Sequence, residues 1–420
     1  MATSVADLDV QAVRLRFPAL GLRVDGQPAV YLDNPAGTQV PQRVIDRTTE
    51  HWRSTNSNRG GLFTTSVRSD ALLNEARAMA AVFLNADGRE EVIFGPNMTT
   101  LTFAFSRALA RELKPGDEIV VTCLEHDANV APWLALEDQG VRIRFADIRT
   151  PECTLDFKDL ARQITGRTRL IAITHASNVV GTIPDVSAAG RLAHQAGAWF
   201  WVDAVHYAPH GAIDVRAINC DFLVCSAYKF YGPHVALLYG KRELLQRLRP
   251  FRVRPAGDEL PGRWESGTQN HEGIAGLLGA FEYLIELGGI ASETSRSSLE
   301  AAFARIKRHE TALVARLLEG LQQIRGVTIH GITDSEHLGE RAPTVSLSWP
   351  PHRPEALARW LAQHQIFTWH GDHYAPVLIE RLGLLEYGGT LRIGLAHYNT
   401  PGEVDLLLEV LASYRAEARD

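Results

Sequence analysis

The feature that most constrains the fold of this chain is the alternation of short apolar segments with helical segments between residues 90 and 240. The apolar segments read EEVIF, EIVVTC, RLIAIT, WFWVDA and DFLVCS, and stretches such as TLTFAFSRALARELK and SAAGRLAHQAG separate them. Strands that are apolar along their whole length and are separated by helices are typical of a parallel sheet covered on both faces. The sequence therefore predicts an α/β fold with a mostly parallel sheet.

The pattern changes beyond residue 260. Two helical stretches, IAGLLGAFEYLIELGG and SSLEAAFARIKRHETALVARLLEGLQQIRG, lead into short strands (VTIHGI, PTVSLSW, IFTWH and LRIGL) that alternate with further helices. Because a chain of 420 residues is long enough for more than one domain, we predict a large domain over residues 31–295 and a smaller α+β domain over residues 296–420. We expect residues 1–30 to form an arm that packs with the small domain.

Composition argues against several classes of partner. The 43 Lys and Arg residues and 49 Asp and Glu residues leave a net charge of −6, which disfavours binding to phosphate backbones or anionic lipid. No apolar run reaches the length of about 18 residues that a transmembrane helix needs, and the start MATSVADLDV lacks the regions of a secretory signal. We therefore expect a cytoplasmic protein that acts on small molecules, without nucleic acid or membrane as its partner.

Polar side chains follow the predicted strands, and ligands of open α/β sheets bind beyond the carboxyl ends of the strands. Lys229 follows a strand in SAYKFYGPH, where partial desolvation would free its amine as a nucleophile. Asp203 ends the apolar strand WFWVD, where an ionised carboxylate needs a cation. A Schiff-base lysine and an aspartate paired with a protonated pyridine are typical of pyridoxal phosphate enzymes. The residues expected on this rim are Asn97, Thr99, His126, Asn178, Asp203, His206, Ser226 and Lys229.

A phosphate group needs its own cradle, and the segment GPNMTT, at the start of a predicted helix, offers one. The helix N-terminus presents free N–H groups from Met98 onward, and Thr99 adds a hydroxyl. We expect His126 to lie over the pyridine ring, and Asn178 and His206 to bond the ring oxygen. Each residue alone has a plainer interpretation, because Thr and Asn cap many helices that bind nothing and single Asp, Lys or His residues are usually structural. Their occurrence at successive strand ends favours a cofactor site.

These residues lie in segments that resemble a known family. The segments LEHDANVAPW, ITHASNVVGTIPD, VDAVHY, SAYKFYGPH, RWESGTQN and RIGLAHYNT are similar to the class V aminotransferase family of fold type I pyridoxal phosphate enzymes. Within it the chain resembles cysteine desulfurases and selenocysteine lyases of the second group, from YLDNPAGTQVP near residue 31 to LRIGLAHYNTPGEVD near residue 405. The resemblance implies a large cofactor domain with a smaller C-terminal domain, pyridoxal 5'-phosphate as cofactor, and an amino acid as substrate.

The resemblance also implies roles for individual residues. Lys229 would hold the cofactor as a Schiff base, Asp203 would pair with the pyridine nitrogen and His126 would stack on the ring, so these three are the expected catalytic residues. Gly267 and Thr268 match a segment that reaches the phosphate of the neighbouring subunit, which implies a homodimer with composite active sites. The expected cofactor contacts are Asn97, Met98, Thr99, His126, Asn178, Asp203, His206, Ser226, Tyr228, Lys229, Gly267 and Thr268.

The chain departs from the desulfurase pattern at informative places. His206 stands where desulfurases have Gln, and Tyr228 stands where they have His, although both can still form hydrogen bonds. The loop that carries the persulfide-forming cysteine in desulfurases reads WHGDHY here, with Trp369 in place of its arginine and Tyr374 in place of its cysteine. We expect Cys123, Cys220 and Cys225 to be small core residues, and Cys153 in RTPECTLD to be the most exposed of the four.

These departures favour pyridoxal chemistry without a sulfur-accepting thiol. Our first prediction is a carbon–sulfur lyase that eliminates the Cβ substituent of a cysteine-like amino acid, with Lys229 as general base at Cα. Epimerisation or transamination would use the same residues. A desulfurase with an unrecognised thiol and a partner protein, or a catalytically silent scaffold, are the further alternatives. The presence of Lys229, Asp203, His126 and Arg392 together argues against the scaffold.

The substrate side of the pocket is less constrained by the sequence. Arg392 matches the family's arginine for the substrate carboxylate, a task that suits its bidentate fork. A histidine of the WHGDHY loop with a near-neutral pKa would suit proton transfer to a leaving group. His370, Asp372 and His373 also have the spacing of metal ligands, but such short clusters are usually ordinary loop polarity, and we predict no metal. The residues expected to contact the substrate are Arg392, Asn34, Arg59, His370, His373 and Tyr374.

Overall fold

The computed structural model of the chain describes residues 8–289 and 295–417. Its helices are α1 (Val10–Arg14), α2 (Gln42–Glu50), α3 (Thr64–Leu84), α4 (Met98–Leu109), α5 (Ala131–Leu134), α6 (Phe157–Gln163), α7 (Val186–Gln195), α8 (Val215–Ile218), α9 (Arg242–Arg247), α10 (His271–Gly288), α11 (Ser295–Gln322), α12 (Pro354–Gln363), α13 (Pro376–Arg381) and α14 (Pro401–Glu417). The parts of the predicted domains at residues 1–7, 290–294 and 418–420 lie outside the described residues.

The strands fall into one large sheet, one small sheet and three two-stranded pairs. They are β1 (Arg23–Val24), β2 (Gln27–Pro28), β3 (Val30–Tyr31), β4 (Val92–Gly95), β5 (Glu118–Thr122), β6 (Arg142–Ala146), β7 (Ile148–Arg149), β8 (Thr154–Leu155), β9 (Thr168–Thr174), β10 (Trp199–Asp203), β11 (Phe222–Ser226), β12 (Ala236–Gly240), β13 (Thr328–His330), β14 (Thr344–Ser348), β15 (Ile366–Phe367), β16 (Trp369–Gly371) and β17 (Thr390–Gly394).

The large sheet has seven strands in the order β4-β12-β11-β10-β9-β5-β6. Strands β6, β5, β9, β10 and β11 run parallel to one another, and β12 is antiparallel to both of its neighbours. Strand β4 therefore points the same way as the parallel set, and the carboxyl ends of six strands meet at one edge. This arrangement confirms the predicted α/β fold with a mostly parallel sheet, and it places the strand-end residues together.

Both faces of the large sheet are buried, which explains why its strands are apolar throughout. Along β10, Val202 packs in the core on one face, whereas its neighbour Trp201 packs in the core on the other. On the second face Phe105 of α4 stacks on Trp264, with ring centroids 4.1 Å apart. The helices that cover the sheet begin at polar caps, since side chains of Asn97, Asp156, Asp185, Asp214 and Asn270 accept first-turn N–H groups.

The second sheet is antiparallel, with the order β13-β14-β17-β16. Its core includes Val345 and Leu347 from β14 and Ile393 from β17, packed with apolar residues of α11, α12 and α14. The small sheet and the helices packed on it have the α+β arrangement predicted for residues 296–420. The exact domain boundaries stay a prediction.

The N-terminal segment contacts both parts of the molecule. Strand β3 pairs in parallel with β15, which lies next to the small sheet in the chain, and Arg14 of α1 forms an ion pair with Glu403 of α14 at 2.9 Å. Phe17 packs instead in the core of the large sheet. Helices α2 and α10 approach closely at Gly279, where an added Cβ would lie 2.7 Å from the carbonyl oxygen of Arg43. Across the described ranges, no helix combines the length and apolar character that crossing a membrane requires.

Candidate active site

A cavity of about 450 Å³ lies at the carboxyl edge of the large sheet, where the small domain covers it. It is lined from one side by residues at or just after the ends of β4, β5, β9, β10 and β11. From the other side it is lined by residues of β16, of the loop after β16 and of β17, together with Pro35 and Ala36. Eleven of the residues singled out in the sequence lie in its wall: Met98, Thr99, His126, Asn178, Asp203, His206, Tyr228, Lys229, His373, Tyr374 and Arg392.

Lys229 ends a short 3₁₀ turn that follows β11. Its amine donates hydrogen bonds to the carbonyl oxygens of Pro35 and Ala36, the latter at 3.0 Å. Burial, together with the nearby positive charge of Arg392, lowers the pKa of Lys229 to about 7. A substantial fraction of the amine is therefore neutral and nucleophilic near neutral pH.

Asp203 is the last residue of β10 and is only 3% exposed. One carboxylate oxygen accepts the backbone N–H of Val205 at 2.9 Å, and burial raises the pKa of Asp203 to about 6. In the described part of the chain no Lys or Arg forms an ion pair with this carboxylate. A buried carboxylate in a cavity wall is stabilised by a cation, and its position suits a cationic group bound in the cavity.

His126 follows β5, and its Nδ1 accepts the backbone N–H of Ala128 at 3.0 Å. Burial lowers the pKa of His126 to about 4, assisted by Lys229 and Arg392, so the ring is neutral at pH 7. Because Nδ1 is an acceptor, the proton of the neutral ring is on Nε2. The ring stacks with that of Tyr374, with centroids 5.7 Å apart and planes 18° apart.

The turn after β4 forms the start of α4 as expected, but Asn97 in this turn and Ser226 at the end of β11 are used structurally. The side chain of Asn97 caps α4 by accepting the N–H of Thr100 at 2.8 Å, and Ser226 Oγ accepts the N–H of Met98 at 2.9 Å. Neither Asn97 nor Ser226 lines the cavity, whereas Met98 and the exposed Thr99 do. The structure thus gives Asn97 and Ser226 a role in shaping the turn.

Asn178 and His206 face the cavity from neighbouring strand ends. Asn178 donates from Nδ2 to the carbonyl oxygen of His373 at 2.9 Å, and its Oδ1 is buried without a partner among the described residues. His206 is bonded through Nε2 to Thr344 Oγ1 at 2.9 Å. Burial holds the pKa of His206 well below its usual value, so it is a neutral hydrogen-bonding group.

Arg392 of β17 brings a buried positive charge to the cavity. It is 4% exposed, donates to the carbonyl oxygen of Asn178 at 3.1 Å and lies 3.5 Å from a carboxylate oxygen of Asp33. Its Nε is buried without a partner in the described structure. Burial lowers the pKa of Arg392 to about 10, which still leaves it charged at neutral pH. The site can therefore bind a carboxylate.

The loop with the sequence WHGDHY is held by several bonds. His373 and Tyr374 both have left-handed backbones, with φ of 55° and 56°, a conformation that residues other than glycine seldom adopt. The carbonyl oxygen of Tyr374 accepts the N–H of Asp127 at 2.7 Å, and its N–H donates to Asp372 Oδ1 at 2.9 Å. These bonds fix Tyr374 at the cavity wall with 72% of its surface exposed.

The expectation of a near-neutral pKa is wrong for His373. His373 is buried and bonded through Nε2 to Thr390 Oγ1 at 2.9 Å, and burial lowers its pKa to about 2. His370 is exposed and does not line the cavity. Within residues 8–289 and 295–417, no three His, Cys, Asp or Glu side chains are grouped so that they could hold a metal ion.

Four further predicted residues do not line the cavity of their own chain. Asn34 is buried, and its side chain bonds the carbonyl oxygens of Tyr31 and Gly394, among other groups, so it joins the N-terminal segment to the small domain. Arg59 is exposed and paired with Asp70 at 3.1 Å. Gly267 and Thr268 are exposed outside the cavity.

All four cysteines belong to the described residues, and all are buried outside the cavity wall. The expectation that Cys153 is exposed is wrong, because Cys153 is 0% exposed. Its turn is covered by the small domain, where Gly331 donates its N–H to the carbonyl oxygen of Pro151, a residue of the same turn. Burial raises the pKa of Cys153 to about 12 and that of Cys123 to about 11, and it also raises those of Cys220 and Cys225. None of these thiols is poised as a thiolate.

The structure adds residues that sequence reasoning missed. Phe103 lines the cavity, and its position four residues after Thr99, on the same face of α4, is a signal that helical spacing could have supplied. Asp33 lies beside Arg392, and burial raises the pKa of Asp33. Glu125 precedes His126, is fully buried, and binds the side chains of Thr122 and Asn129. Burial raises the pKa of Glu125 to about 8.

Comparison with known proteins shows the family of this chain. A family model described as Aminotransferase class-V matches residues 30–407. Cysteine desulfurases from Pectobacterium atrosepticum and Serratia proteamaculans are 32% and 34% identical to this chain over 415 residues, which is 95% of this chain and 96% of each relative.

Solved structures give the same result. An apo cysteine desulfurase from Thermococcus onnurineus NA1 is similar with a TM-score of 0.86 and 28% identity, over 99% of both chains. The cysteine desulfurase CsdA from Escherichia coli is similar with a TM-score of 0.83 and 27% identity, over 98% of this chain and 99% of that chain. Because the family model spans nearly the whole chain and the relatives are similar over 95% of it, the chain belongs to the class V aminotransferase family of pyridoxal phosphate-dependent, fold type I enzymes.

Proposed function

We propose that this chain is a pyridoxal phosphate-dependent carbon–sulfur lyase that acts on a cysteine-like amino acid. The observation that carries the proposal is the content of the cavity wall. It brings together the amine of Lys229, the buried carboxylate of Asp203 and the buried guanidinium of Arg392, while all four cysteines lie elsewhere. The site is thus equipped for chemistry at Cα of an amino acid but has no thiol to accept sulfur.

The residues present fit pyridoxal 5'-phosphate. Asp203 would pair with a protonated pyridine nitrogen, which supplies the cation that its buried carboxylate lacks. Lys229 would hold the cofactor covalently through its amine, and His126 would cover the ring. The start of α4, with Thr99, would bind the phosphate. When bound, the cofactor withdraws electrons from the bonds at Cα of the substrate.

The protein's own groups supply binding and proton transfer. Arg392 binds the substrate α-carboxylate through its planar fork, which orients Cα toward Lys229. The amine of Lys229, with a pKa of about 7, takes the proton from Cα at neutral pH. His126 is neutral and donates only through Nε2, so it orients bound groups without adding a positive charge.

Product analysis with purified holoenzyme tests the proposal. We expect cysteine-like substrates to yield pyruvate, ammonia and a thiol or sulfide, measured by coupled reduction of pyruvate and by thiol titration. Alanine together with protein-bound persulfide would instead establish a desulfurase, the activity named for the relatives. Inversion of Cα without release of the side chain would establish an epimerase, and a keto acid that keeps its side chain would establish an aminotransferase.

We also infer a homodimer with composite sites, because Gly267 and Thr268 are exposed outside the cavity of their own chain yet match a segment that reaches a neighbouring cofactor. Mixing the variants Lys229→Ala and Thr268→Glu tests this. In composite sites a mixed dimer carries both changes in one site and none in the other, so random mixing restores about a quarter of wild-type activity. Activity that stays at the level of the separate variants would contradict shared sites. The cytoplasmic location stays a prediction.

A further inference from the structure

One part of the cavity wall is not used by the proposed chemistry. It is largely apolar, and it lies between the segment from Trp369 to Tyr374 and the segment that follows His126. It contains two large, solvent-exposed aromatic side chains, Trp369 at 52% and Tyr374 at 72%. Its lining residues are Phe103, Asp127, Ala128, Ala131, Trp369 and Tyr374.

Trp369 lies next to the arginine proposed to bind the substrate carboxylate. In the antiparallel pair β16–β17, Trp369 is directly opposite Arg392. Directly opposite residues point to the same face of a sheet and have Cβ atoms about 5 Å apart. A substrate whose carboxylate is bound by Arg392 therefore lies beside the indole ring.

Tyr374 lines the same part of the cavity, from the loop that follows β16. Its backbone is fixed by the bonds to Asp127 and Asp372 in a left-handed conformation, and its ring is parallel to that of His126. The ring is thus held in place at the cavity mouth. Ala128 and Ala131 line the same cavity, and their small side chains leave room in it.

We propose that Trp369 and Tyr374 form a subsite for an apolar substituent on the substrate sulfur, so that S-alkyl and S-aryl cysteines are preferred to cysteine. Binding sites for apolar groups are lined by aromatic and aliphatic side chains, and each buried methylene contributes to affinity. A free thiol gains nothing from such a wall. The inference rests on the proposed lyase function and narrows its substrate class.

The reaction balances without an oxidant or reductant. The Cα–H bond breaks and its proton passes to Nζ of Lys229. The Cβ–S bond breaks and its electron pair leaves with sulfur, which becomes a thiol on taking up a proton. The remaining three-carbon unit takes up one water molecule and is released as pyruvate and ammonia.

The test compares cysteine with S-methyl-, S-ethyl- and S-benzylcysteine on the holoenzyme, with kcat/KM obtained from pyruvate release. We expect kcat/KM to rise along the series, by about fourfold for the methylene that distinguishes the ethyl from the methyl compound, and S-benzylcysteine to exceed cysteine at least about tenfold. Trp369→Ala and Tyr374→Ala should each reduce the ratio between the S-benzyl and S-methyl compounds. Leu385→Ala, another exposed apolar side chain of the small domain that is outside the cavity wall, is the matched control.

Calorimetric binding of α-methyl analogues separates affinity from turnover, since these compounds have no Cα proton to lose. We expect S-benzyl-α-methylcysteine to bind more tightly than α-methylcysteine, and the difference to shrink in Trp369→Ala. Far-UV circular dichroism establishes that each variant is folded.

The outcomes separate the two proposals. Pyruvate formed equally well from cysteine and S-benzylcysteine would overturn the subsite and leave the lyase intact. Release of no pyruvate from any compound would overturn the lyase, and the calorimetric series would then decide the subsite alone. A preference for the S-benzyl compound that persists in both aromatic variants would also overturn the assignment to Trp369 and Tyr374.

Discussion

The imidazole ring of His126 lies parallel to the phenol ring of Tyr374, with centroids 5.7 Å apart and planes 18° apart. The residue at position 374 is therefore a direct neighbour of the histidine proposed to cover the cofactor. The resemblance to desulfurases predicts that Tyr374 stands where those enzymes carry the loop cysteine that accepts sulfur. We therefore consider two reactions separately. The groups for chemistry at Cα of the substrate are present in the cavity wall, whereas the thiol that sulfur transfer to the protein would need is not among its lining residues.

The uptake of cofactor by the apoprotein should accelerate as the pH rises through about 7. Burial and the charge of Arg392 lower the pKa of Lys229 to about 7, and only the neutral amine attacks an aldehyde. Absorbance of the bound cofactor, followed in time at a series of pH values, measures this. Arg392→Gln should move the midpoint upward because it removes a charge that lowers the pKa. A wild-type midpoint near the ordinary lysine pKa of about 10.4 would contradict the assignment.

Arg392→Gln should weaken the binding of an amino-acid analogue by about 1.5 to 3 kcal/mol, or roughly tenfold to hundredfold in Kd, because a carboxylate loses a charged hydrogen-bonding partner. Arg316→Gln is the matched control, since Arg316 is exposed, outside the cavity wall and paired with Asp405. Calorimetry with an α-methyl amino acid gives both values. Equal effects of the two substitutions would mean that the carboxylate binds elsewhere.

Asp203→Asn should stabilise the apoprotein and weaken its binding of the cofactor. The pKa of Asp203 is about 6 in the folded protein and about 3.9 in an unfolded chain. Between these two pKa values the folded state binds more protons than the unfolded state. The free energy of unfolding therefore falls as the pH rises from the lower pKa to the higher one, and it stays lower at higher pH. The difference between the two pKa values of Asp203 corresponds to a loss of about 3 kcal/mol at most in the free energy of unfolding.

Urea unfolding of the apoprotein at pH 4 and pH 8 measures this effect. Asp203→Asn should flatten the difference between the two pH values and should be the more stable protein at pH 8. A variant that is less stable than wild type at both values would show that the carboxylate is compensated within the protein itself.

Thiol reagents should leave the native enzyme active. All four cysteines are buried and their pKa values are raised by that burial, so neither access nor ionisation favours reaction. We expect dithionitrobenzoate to label none of them in the native protein and all four after denaturation. Loss of activity in proportion to the labelling of a single cysteine would support a persulfide mechanism instead.

Glu265→Gln should destabilise the fold by about 3 to 5 kcal/mol, because it leaves Arg77 as an unpaired buried charge. The two side chains form a bidentate pair at 2.7 and 3.0 Å, and the same carboxylate accepts the N–H of Phe94. Glu286→Gln is the control, because Glu286 pairs with Arg16 and Arg43 on the surface and such pairs contribute about 1 kcal/mol or less. Urea unfolding measures both. Similar losses for the two variants would contradict the special role of the buried pair.

The large sheet and the centre of the site could be predicted because the two depend on the same rule. Carboxyl ends of parallel strands meet at one edge, so Asp203, Lys229 and His126 had to lie near one another once their strands were identified. The pattern of apolar residues was sufficient to find those strands.

Tertiary contacts between distant segments could not be predicted in the same way. Cys153 lies in a polar, proline-containing turn that looks exposed, yet the turn is covered through the bond from Gly331, far along the chain. The sequence predicts that Asn34 lies at the pocket entrance, but its side-chain amide donates to the carbonyl oxygens of Tyr31 and Gly394. The pKa of His373 depends on burial that only the folded loop reveals.

The pairing of β3 with β15 has a consequence for how the enzyme is made in the cell. Residues 30 and 31 are synthesised well before their strand partner, Ile366–Phe367, which lies far along the chain. Pro35 and Ala36, whose carbonyl oxygens accept the amine of Lys229, follow directly after β3. Domains fold as units during synthesis, so the large sheet can form while this wall of the cavity is still open. Loading of the cofactor is therefore expected to be completed only after Ile366–Phe367 has been synthesised.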